Sequence, residues 1–369
     1  MRLYIHWPFC ISRCSYCDFN SRAGASRHMR AYMEALLAEL DTWSSLLGEE
    51  NKRLLSIYLG GGTPSTLRGT EVSVLLEEVY ARFEIAEGAE VTLEVNPSTW
   101  AAGDFTAACA GGANRISVGV QSLHDPALGL LGRAHDAVAA LEAVENALRA
   151  GPASVSADLI YGLPGLDTEM LLGSLQRVLD TGAQHISLYA LTLSKRSPLY
   201  RTLQNGGPNL PAEDEVADEY LAACEVLDVA GFEQYEISNF CLHGHHSRHN
   251  LGYWNREEYL GVGAGAHSCI GNWRFHNTSS LLAYIRAAGE GRLAWEGWEH
   301  IDAPGRREEE IMLGLRTSLG VPEGALNAGG NHLDDLEELG LLRVSSGRVR
   351  LTRQGMMVSN ALIAELLPA

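Results

Sequence analysis

The chain has 369 residues, 46% of them apolar and 20% charged, an ordinary globular composition with length enough for more than one domain. Its formal net charge of −18, from 46 acidic against 28 basic side chains, excludes wrapping of nucleic acid, which needs a basic surface to track phosphates. No apolar run reaches the length of a membrane span and the start shows no signal-peptide pattern, so a cytoplasmic protein with no transmembrane segment is expected.

A short β-rich run, Leu3–His6, opens the chain, and three cysteines follow within eight residues, Cys10-x3-Cys14-x2-Cys17. This spacing is too tight for a disulfide and one ligand short of a closed zinc site. Three thiolates suit a [4Fe–4S] cluster in which one iron stays open to a small chelating ligand. Zinc with His6 or Asp18 as fourth ligand, and three plain core cysteines, are the competing readings. The polar residues Ser12, Arg13 and Ser15 between the thiols favour ligation. The other four cysteines (Cys109, Cys224, Cys241 and Cys269) are scattered and read as free thiols of a reducing compartment.

Next comes an amphipathic helix carrying Tyr32, Met33, Leu36, Leu37, Leu40 and Trp43 at three- and four-residue spacing. Strands follow at Leu55–Leu59, Glu90–Val95, Arg115–Val120, Ser154–Ile160 and His185–Leu191, with helices at Ala137–Ala150 and Glu169–Thr181 among them. Six βα units predict an α/β fold, a partial (β/α)6 TIM-like barrel open on one side. In such a barrel Gly60-Gly61-Gly62-Thr63-Pro64, Glu94-Val95-Asn96-Pro97, Gln121-Ser122, Asp158 to Pro164 and Ala190 all fall on the C-terminal rim beside the cysteine loop, where active sites are built.

The Gly/Pro/Asn-rich stretch 205–211 marks the end of the barrel. The expected organisation is a barrel domain over 1–204, an aromatic- and histidine-rich region over 205–300, and a C-terminal unit over 301–369. A helix near Glu213–Ala230 opens the second part. In the third, helices at Glu308–Thr317 and Leu333–Leu339 precede a hairpin of Leu341–Val344 and Arg348–Thr352 and a closing helix. The second half is thus a smaller α+β region ending in a winged-helix-like unit, and the acidic charge disfavours DNA binding by it. Local basic sites at Arg115 and Arg133, or across Arg248 to Arg256, remain available to carboxylates of a substrate. Gly261-Val-Gly-Ala-Gly265 resembles a dinucleotide loop but lacks its strand–helix context.

Together, the cysteine loop, the glycine loop and the rim polars resemble the radical S-adenosylmethionine (SAM) proteins. More narrowly, Tyr4-Ile-His-Trp-Pro-Phe-Cys10 and Gly119-Val-Gln-Ser122 resemble the oxygen-independent coproporphyrinogen III oxidase group. Phe19 stands where the oxidases carry a further cysteine, and their N-terminal extension has no room here. His249-Asn250-Leu-Gly-Tyr253-Trp254 matches the motif of the HemW-type haem chaperones. The resemblance implies that Cys10, Cys14 and Cys17 ligate the cluster, that Tyr4 and Tyr16 flank it, and that Gly61, Gly62 and Thr63 hold the methionine end of SAM. It also implies that Glu94, Gln121, Arg133 and Asp158 hold the amino-acid and ribose groups and that Ala190 touches the adenine.

For haem, the resemblance makes His249 the candidate ligand, with Tyr253 and Trp254 stacking on the porphyrin. His243, His245, His246 and His267 are rivals, and a packed core turn around a hydrogen-bonded histidine is the plain alternative. His249 and Tyr253 share a face only if the segment is helical, which Gly252 disfavours. Tyr253, Trp254, Tyr259 and Trp273 read equally as core aromatics. The functional expectation is a chaperone that binds haem and a SAM-coordinated [4Fe–4S] cluster and delivers haem to an acceptor apoprotein. A reductant for the cluster and a cluster-dependent dimer belong to the same expectation. The alternative is a porphyrinogen oxidase, or another radical SAM enzyme acting on a tetrapyrrole.

Overall fold

The computed structural model describes residues 1–326 and 330–367. Six strands, β1 (Arg2–Trp7), β2 (Arg53–Gly61), β3 (Glu84–Val95), β4 (Arg115–Gln121), β5 (Ser154–Tyr161) and β6 (His185–Ala190), pair in sequence order, every neighbour parallel. Between them run α1 (Met29–Leu46), α2 (Gly69–Tyr80), α3 (Ala102–Ala110), α4 (Asp125–Leu130), α5 (Ala137–Arg149) and α6 (Thr168–Asp180), with α7 (Pro198–Gln204) after β6. This is the α/β partial-barrel arrangement expected, and all six expected strands lie on these elements.

Alternation along the strands explains the layering. Leu3, Ile5, Ile57, Leu59, Leu93, Ile116, Val118, Val155, Ala157, Ile186 and Leu188 are buried in one hydrophobic core together with residues of the surrounding helices. From α1 that core takes Tyr32, Leu36, Leu40 and Trp43, the expected stripe. The intervening residues Tyr58, Thr92, Glu94, Ser117, Ser156, Asp158 and Ser187 line a cavity instead. Asp136 and Asp167 begin α5 and α6 by accepting from Ala139 and Met170 backbone amides at 2.8 and 2.9 Å.

The break at 205–211 ends the run of six consecutive βα units but not the sheet. After α8 (Glu213–Val229), β7 (Glu233–Glu236) and β8 (Asn239–Cys241) extend the sheet beyond β6. Then β9 (Tyr259–Val262) adds in parallel to β1, followed by β10 (His267–Ile270), β11 (Trp273–Asn277) and β12 (Trp295–His300), antiparallel to one another. The result is a twelve-stranded sheet ordered β12-β11-β10-β9-β1-β2-β3-β4-β5-β6-β8-β7. Residues 205–300 therefore complete both edges of the barrel sheet and share its core through Tyr220, Phe240, Leu260 and Tyr284. Gly261 to Gly265 run off the end of β9 towards β10, outside any strand–helix phosphate loop.

Between β8 and β9 lies α9 (Arg248–Trp254), a helix despite Gly252. Its amides at Arg248 and His249 donate to the Glu90 carboxylate at 2.9 and 2.8 Å, which anchors α9 beneath the N-terminal ends of the strands. Glycine is required at 252 because a Cβ there would lie 1.6 Å from Arg2 Nε. Arg2 in turn bonds Glu257 and Ser56. A further helix, α10 (Leu281–Gly289), packs against α1.

The C-terminal part has its own core, built from α11 (Ala303–Gly314), α12 (Gly330–Glu338), a three-stranded sheet and the closing helices Arg353–Met357 and Ser359–Leu366. Its hairpin pairs Leu342–Ser345 with Arg348–Leu351, within a residue of the expected bounds. Arg353 clamps it to α8 through two 2.6 Å bonds to Asp228.

Replacing Gly252 with alanine forces Arg2 off its partners. Chemical denaturation is expected to show a loss of about 1–3 kcal/mol, the usual range for overpacking, with the far-UV spectrum unchanged.

Candidate cofactor site

A cavity of about 420 Å³ opens on the C-terminal rim of the six strands. Cys10, Cys14 and Cys17 line it as half-buried free thiols. The sulfurs have polar neighbours: Thr63 Oγ1 lies 3.4 Å from Cys10, Arg133 Nη1 lies 3.4 Å from Cys14, and Ser21 Oγ lies 3.8 Å from Cys17. Burial pushes the Cys10 thiol up from its ordinary value. His6, the expected fourth ligand of a zinc site, has its ring nitrogens at 3.0 Å from Tyr4 Oη and 2.9 Å from Asn20 O. Three thiols around a cavity wall fit a multi-iron cluster, in which the sulfurs bind different metal atoms.

The glycine loop is fixed by its own backbone. Gly62 N–H donates to Trp7 and Thr63 N–H to Phe9, both at 2.8 Å, and Gly61 N–H donates to Glu94 at 3.0 Å. Gly61 has φ +113, and a Cβ there would meet the His6 ring at 2.5 Å. Glu94 also accepts from Tyr58 at 2.7 Å, and Asp158 from Ser117 at 3.0 Å. Burial raises the pKa of both carboxyls. Gln121 sits in the left-handed region at φ 67, a strained backbone for a side chain of that size at the cavity edge. Arg133 Nη2 donates to Gly119 O at 2.9 Å, while its Nε is buried without a partner. Tyr16, raised to about 12 by burial, lies by Arg133, and Ala190 faces the same cavity.

The structure thus brings together Cys10, Cys14, Cys17, Tyr16, Gly61, Gly62, Thr63, Glu94, Gln121, Arg133, Asp158 and Ala190. It does not bring Tyr4, whose hydroxyl turns to His6 Nδ1 at 3.0 Å and whose ring packs on Tyr58 away from the cavity wall. Arg115, expected with Arg133 as a local basic site, lines the cavity, and so do Tyr58 and Thr92, which no sequence motif named. Their signal was the polar half of the strand alternation, which marks an inner face that is not filled with apolar side chains.

The histidine motif lies at the opposite end of the strands. His249 is fully buried, with Nδ1 2.9 Å from Ser56 Oγ and Nε2 2.9 Å from Tyr253 Oη. His249 and Tyr253 do share one face of α9, but both ring nitrogens are occupied by protein. Tyr253 packs edge-on against Tyr259, as core aromatics do. None of His249, Tyr253 and Trp254 lines the cavity; Ser247 and Asn250 of the same segment do. As arranged here, His249 offers no free nitrogen to iron, because the small inward-facing Ser56 leaves room for the imidazole in the barrel floor. His243 and His267 are exposed, and Trp273 is 46% exposed beside Trp298 and His300.

The radical SAM superfamily model matches residues 4–178 and the HemN C-terminal domain model residues 301–358. The haem chaperone HemW of Mycobacterium tuberculosis is 35% identical over 99% of this chain and 94% of its own, and that of Bacillus subtilis 33% over 99% and 98%. The chain belongs to the HemW family. A mitochondrial radical S-adenosyl methionine domain-containing protein 1 from Danio rerio is 36% identical over 86% of the chain and 73% of its own. The solved coproporphyrinogen III oxidase HemN of Escherichia coli aligns over 98% of the chain and 89% of its own with a TM-score of 0.84, at 21% identity, a likeness of fold. The [4Fe–4S] cluster and SAM come with the superfamily, and the three thiols, the polar rim and the orphaned Arg133 Nε fit them.

Burial holds the His249 pKa down at about 3, so the folded protein keeps it neutral. Above its ordinary value of 6.5 the imidazole is neutral folded or unfolded, and its contribution is fully present. As pH falls from 6.5 towards 3 the unfolded chain takes up a proton that the folded one refuses, and stability is lost. Urea unfolding is expected to show this loss, with a slope smaller in His249→Gln by up to about 1.4 kcal/mol per pH unit.

Proposed function

We propose that this protein is a haem chaperone that carries a SAM-coordinated [4Fe–4S] cluster and hands haem to an acceptor apoprotein. The observation behind the reading is a cysteine triad on a polar-cored barrel, in a chain aligned nearly end to end with relatives named haem chaperones. Exposed Phe19, after Cys17, offers no further thiol to the cluster from that position.

Cys10, Cys14 and Cys17 would hold the cluster through their three thiolates. When bound, the cluster and SAM supply an open metal vertex and a sulfonium that one electron can cleave. The chain's own residues bind and orient. Arg133 lies where a guanidinium meets a carboxylate in charge-assisted bonds, and its unpartnered Nε adds a donor. Glu94 and Asp158, both half-buried on the cavity wall, would accept from amino and hydroxyl groups, and Ala190 leaves space beside a flat base. Gly61 and Gly62 let the chain approach without a Cβ in the way.

His249 is the proposed haem ligand, and in that role it is gated. Ligation requires the bonds to Ser56 and Tyr253 to break and α9 to shift from the floor. Stopped-flow haem binding to anaerobically reconstituted protein is expected to be several-fold faster in Tyr253→Phe, which frees Nε2. Unchanged kinetics in that variant assign the ligand to an exposed histidine such as His243 or His267.

Cys14→Ser is expected to abolish the cluster absorbance and SAM binding, read by iron content and equilibrium dialysis. Haem uptake and its transfer to an apoprotein, followed by the Soret band, test the chaperone reading. Turnover of coproporphyrinogen with SAM and a reductant would support the oxidase instead, a reading favoured here by fold alone.

A further inference from the structure

Arg115, at the start of β4, is a cation buried without an anion. It is 3% exposed, and arginine is almost never so buried unless paired. Its Nη1 donates to Ser154 Oγ at 3.1 Å and to the His245 carbonyl at 2.9 Å. Its Nη2 is buried with no partner. Arg2 and Arg256, whose side chains are similarly buried, each pair with a glutamate. Among the described residues Arg115 forms no ion pair. Asp158, on the same cavity wall, accepts instead from Ser117 at 3.0 Å and Ser156 at 3.4 Å.

Thr92 is the partner of Arg115 across β3 and β4, and it is equally buried, with Oγ1 also unpartnered. Both side chains line the cavity, as do Ser247 and Asn250 of the segment that closes its floor. Two adjacent buried donors without acceptors, on one cavity wall, make a site for an acceptor. A negatively charged acceptor also neutralises the guanidinium. This place is separate from the rim. Arg133, assigned above to the carboxylate of SAM, bonds Gly119 O, and Gly119 lies four residues on from Arg115, about 13 Å along the strand.

We propose that the barrel floor is a carboxylate-binding subsite, in which Arg115 and Thr92 anchor a small organic monocarboxylate whose remaining atoms rise towards the rim. The proposal goes beyond the haem reading and does not rest on it. The whole cavity is about 420 Å³, near the lower end for a drug-sized ligand. With SAM at its mouth, the floor has room for a small molecule and not for a porphyrin. A carboxylate offers two oxygens to the two donors. Its single charge suits a wall that also carries Glu94 and Asp158, which would repel a phosphate dianion more strongly. Ser117, Ser156 and Ser187, all small, line the space between floor and rim. Held this way, the molecule shares the cavity with SAM and lies beneath it.

The test uses full-length protein reconstituted anaerobically, with acetate as the probe and saturation-transfer NMR of its methyl group as the readout. Acetate is expected to bind saturably with SAM present, and acetamide, its uncharged isostere, is expected not to bind. Arg115→Gln is expected to weaken acetate about tenfold or more, the usual loss when a hydrogen bond to a charged group goes. Thr92→Val removes the hydroxyl, keeps the branched shape, and is expected to weaken acetate several-fold in a protein that folds as the wild type does. Arg149→Gln, exposed on α5, is expected to change nothing. If Arg115→Gln is not recovered folded, Thr92→Val decides alone. Absence of saturable binding overturns the proposal, as does equal binding of acetamide or inorganic phosphate. Unchanged affinity in Thr92→Val, or an equal loss in Arg149→Gln, overturns it as well. Displacement of acetate by added SAM assigns Arg115 to the SAM site and also overturns it.

Discussion

Polar side chains on the inner face of six parallel strands, with apolar ones on the outer face, are the constraint from which the rest of this molecule follows. An interior of Tyr58, Thr92, Glu94, Ser117, Ser156, Asp158 and Ser187 cannot be closed by packing alone. Each buried donor and acceptor needs a partner, and the fold supplies most of them from neighbouring strands. What is left over, at Thr92 Oγ1, one Arg115 nitrogen and Arg133 Nε, lines the cavity and awaits water or ligand. The same constraint explains why the floor is a helix with Ser247 and Asn250 turned inward. An apolar plug would have left the polar interior unpaired.

Much of this was legible in the amino-acid sequence. Helix α1 announced itself by Tyr32, Leu36, Leu40 and Trp43, and the strands by short β-rich runs between helical stretches, because burial against the core demands those periods. The cysteine triad and Gly60–Gly62 carried the cofactor site because they act through local spacing. The edge strands were not legible. β9 pairs with β1, more than 250 residues away in sequence, and nothing local in Tyr259–Val262 names that partner.

Tyr4 and His249 show the other limit. The hydroxyl of Tyr4 is claimed by His6 two residues on along the same strand, and the ring nitrogens of His249 by Tyr253 one helical turn on and by Ser56, the one partner of the three that only the fold brings close. Gly252 argued against a helix by propensity, and a tertiary requirement overrode it, since only glycine admits the Arg2 side chain. The partition at 204 followed loop composition, whereas the sheet is defined by pairing and runs on through both edges.

Strand β1 has one end in each of the two sites. Arg2, at its start, is gripped by Ser56 and Glu257 and roofed by Gly252 of α9; Trp7, at its finish, leads within three residues to Cys10. A six-residue strand is about 20 Å long and stiff along its axis. The histidine helix and the cysteine loop therefore sit at the two ends of one rod. In this architecture the floor of the barrel and its rim have a common foundation.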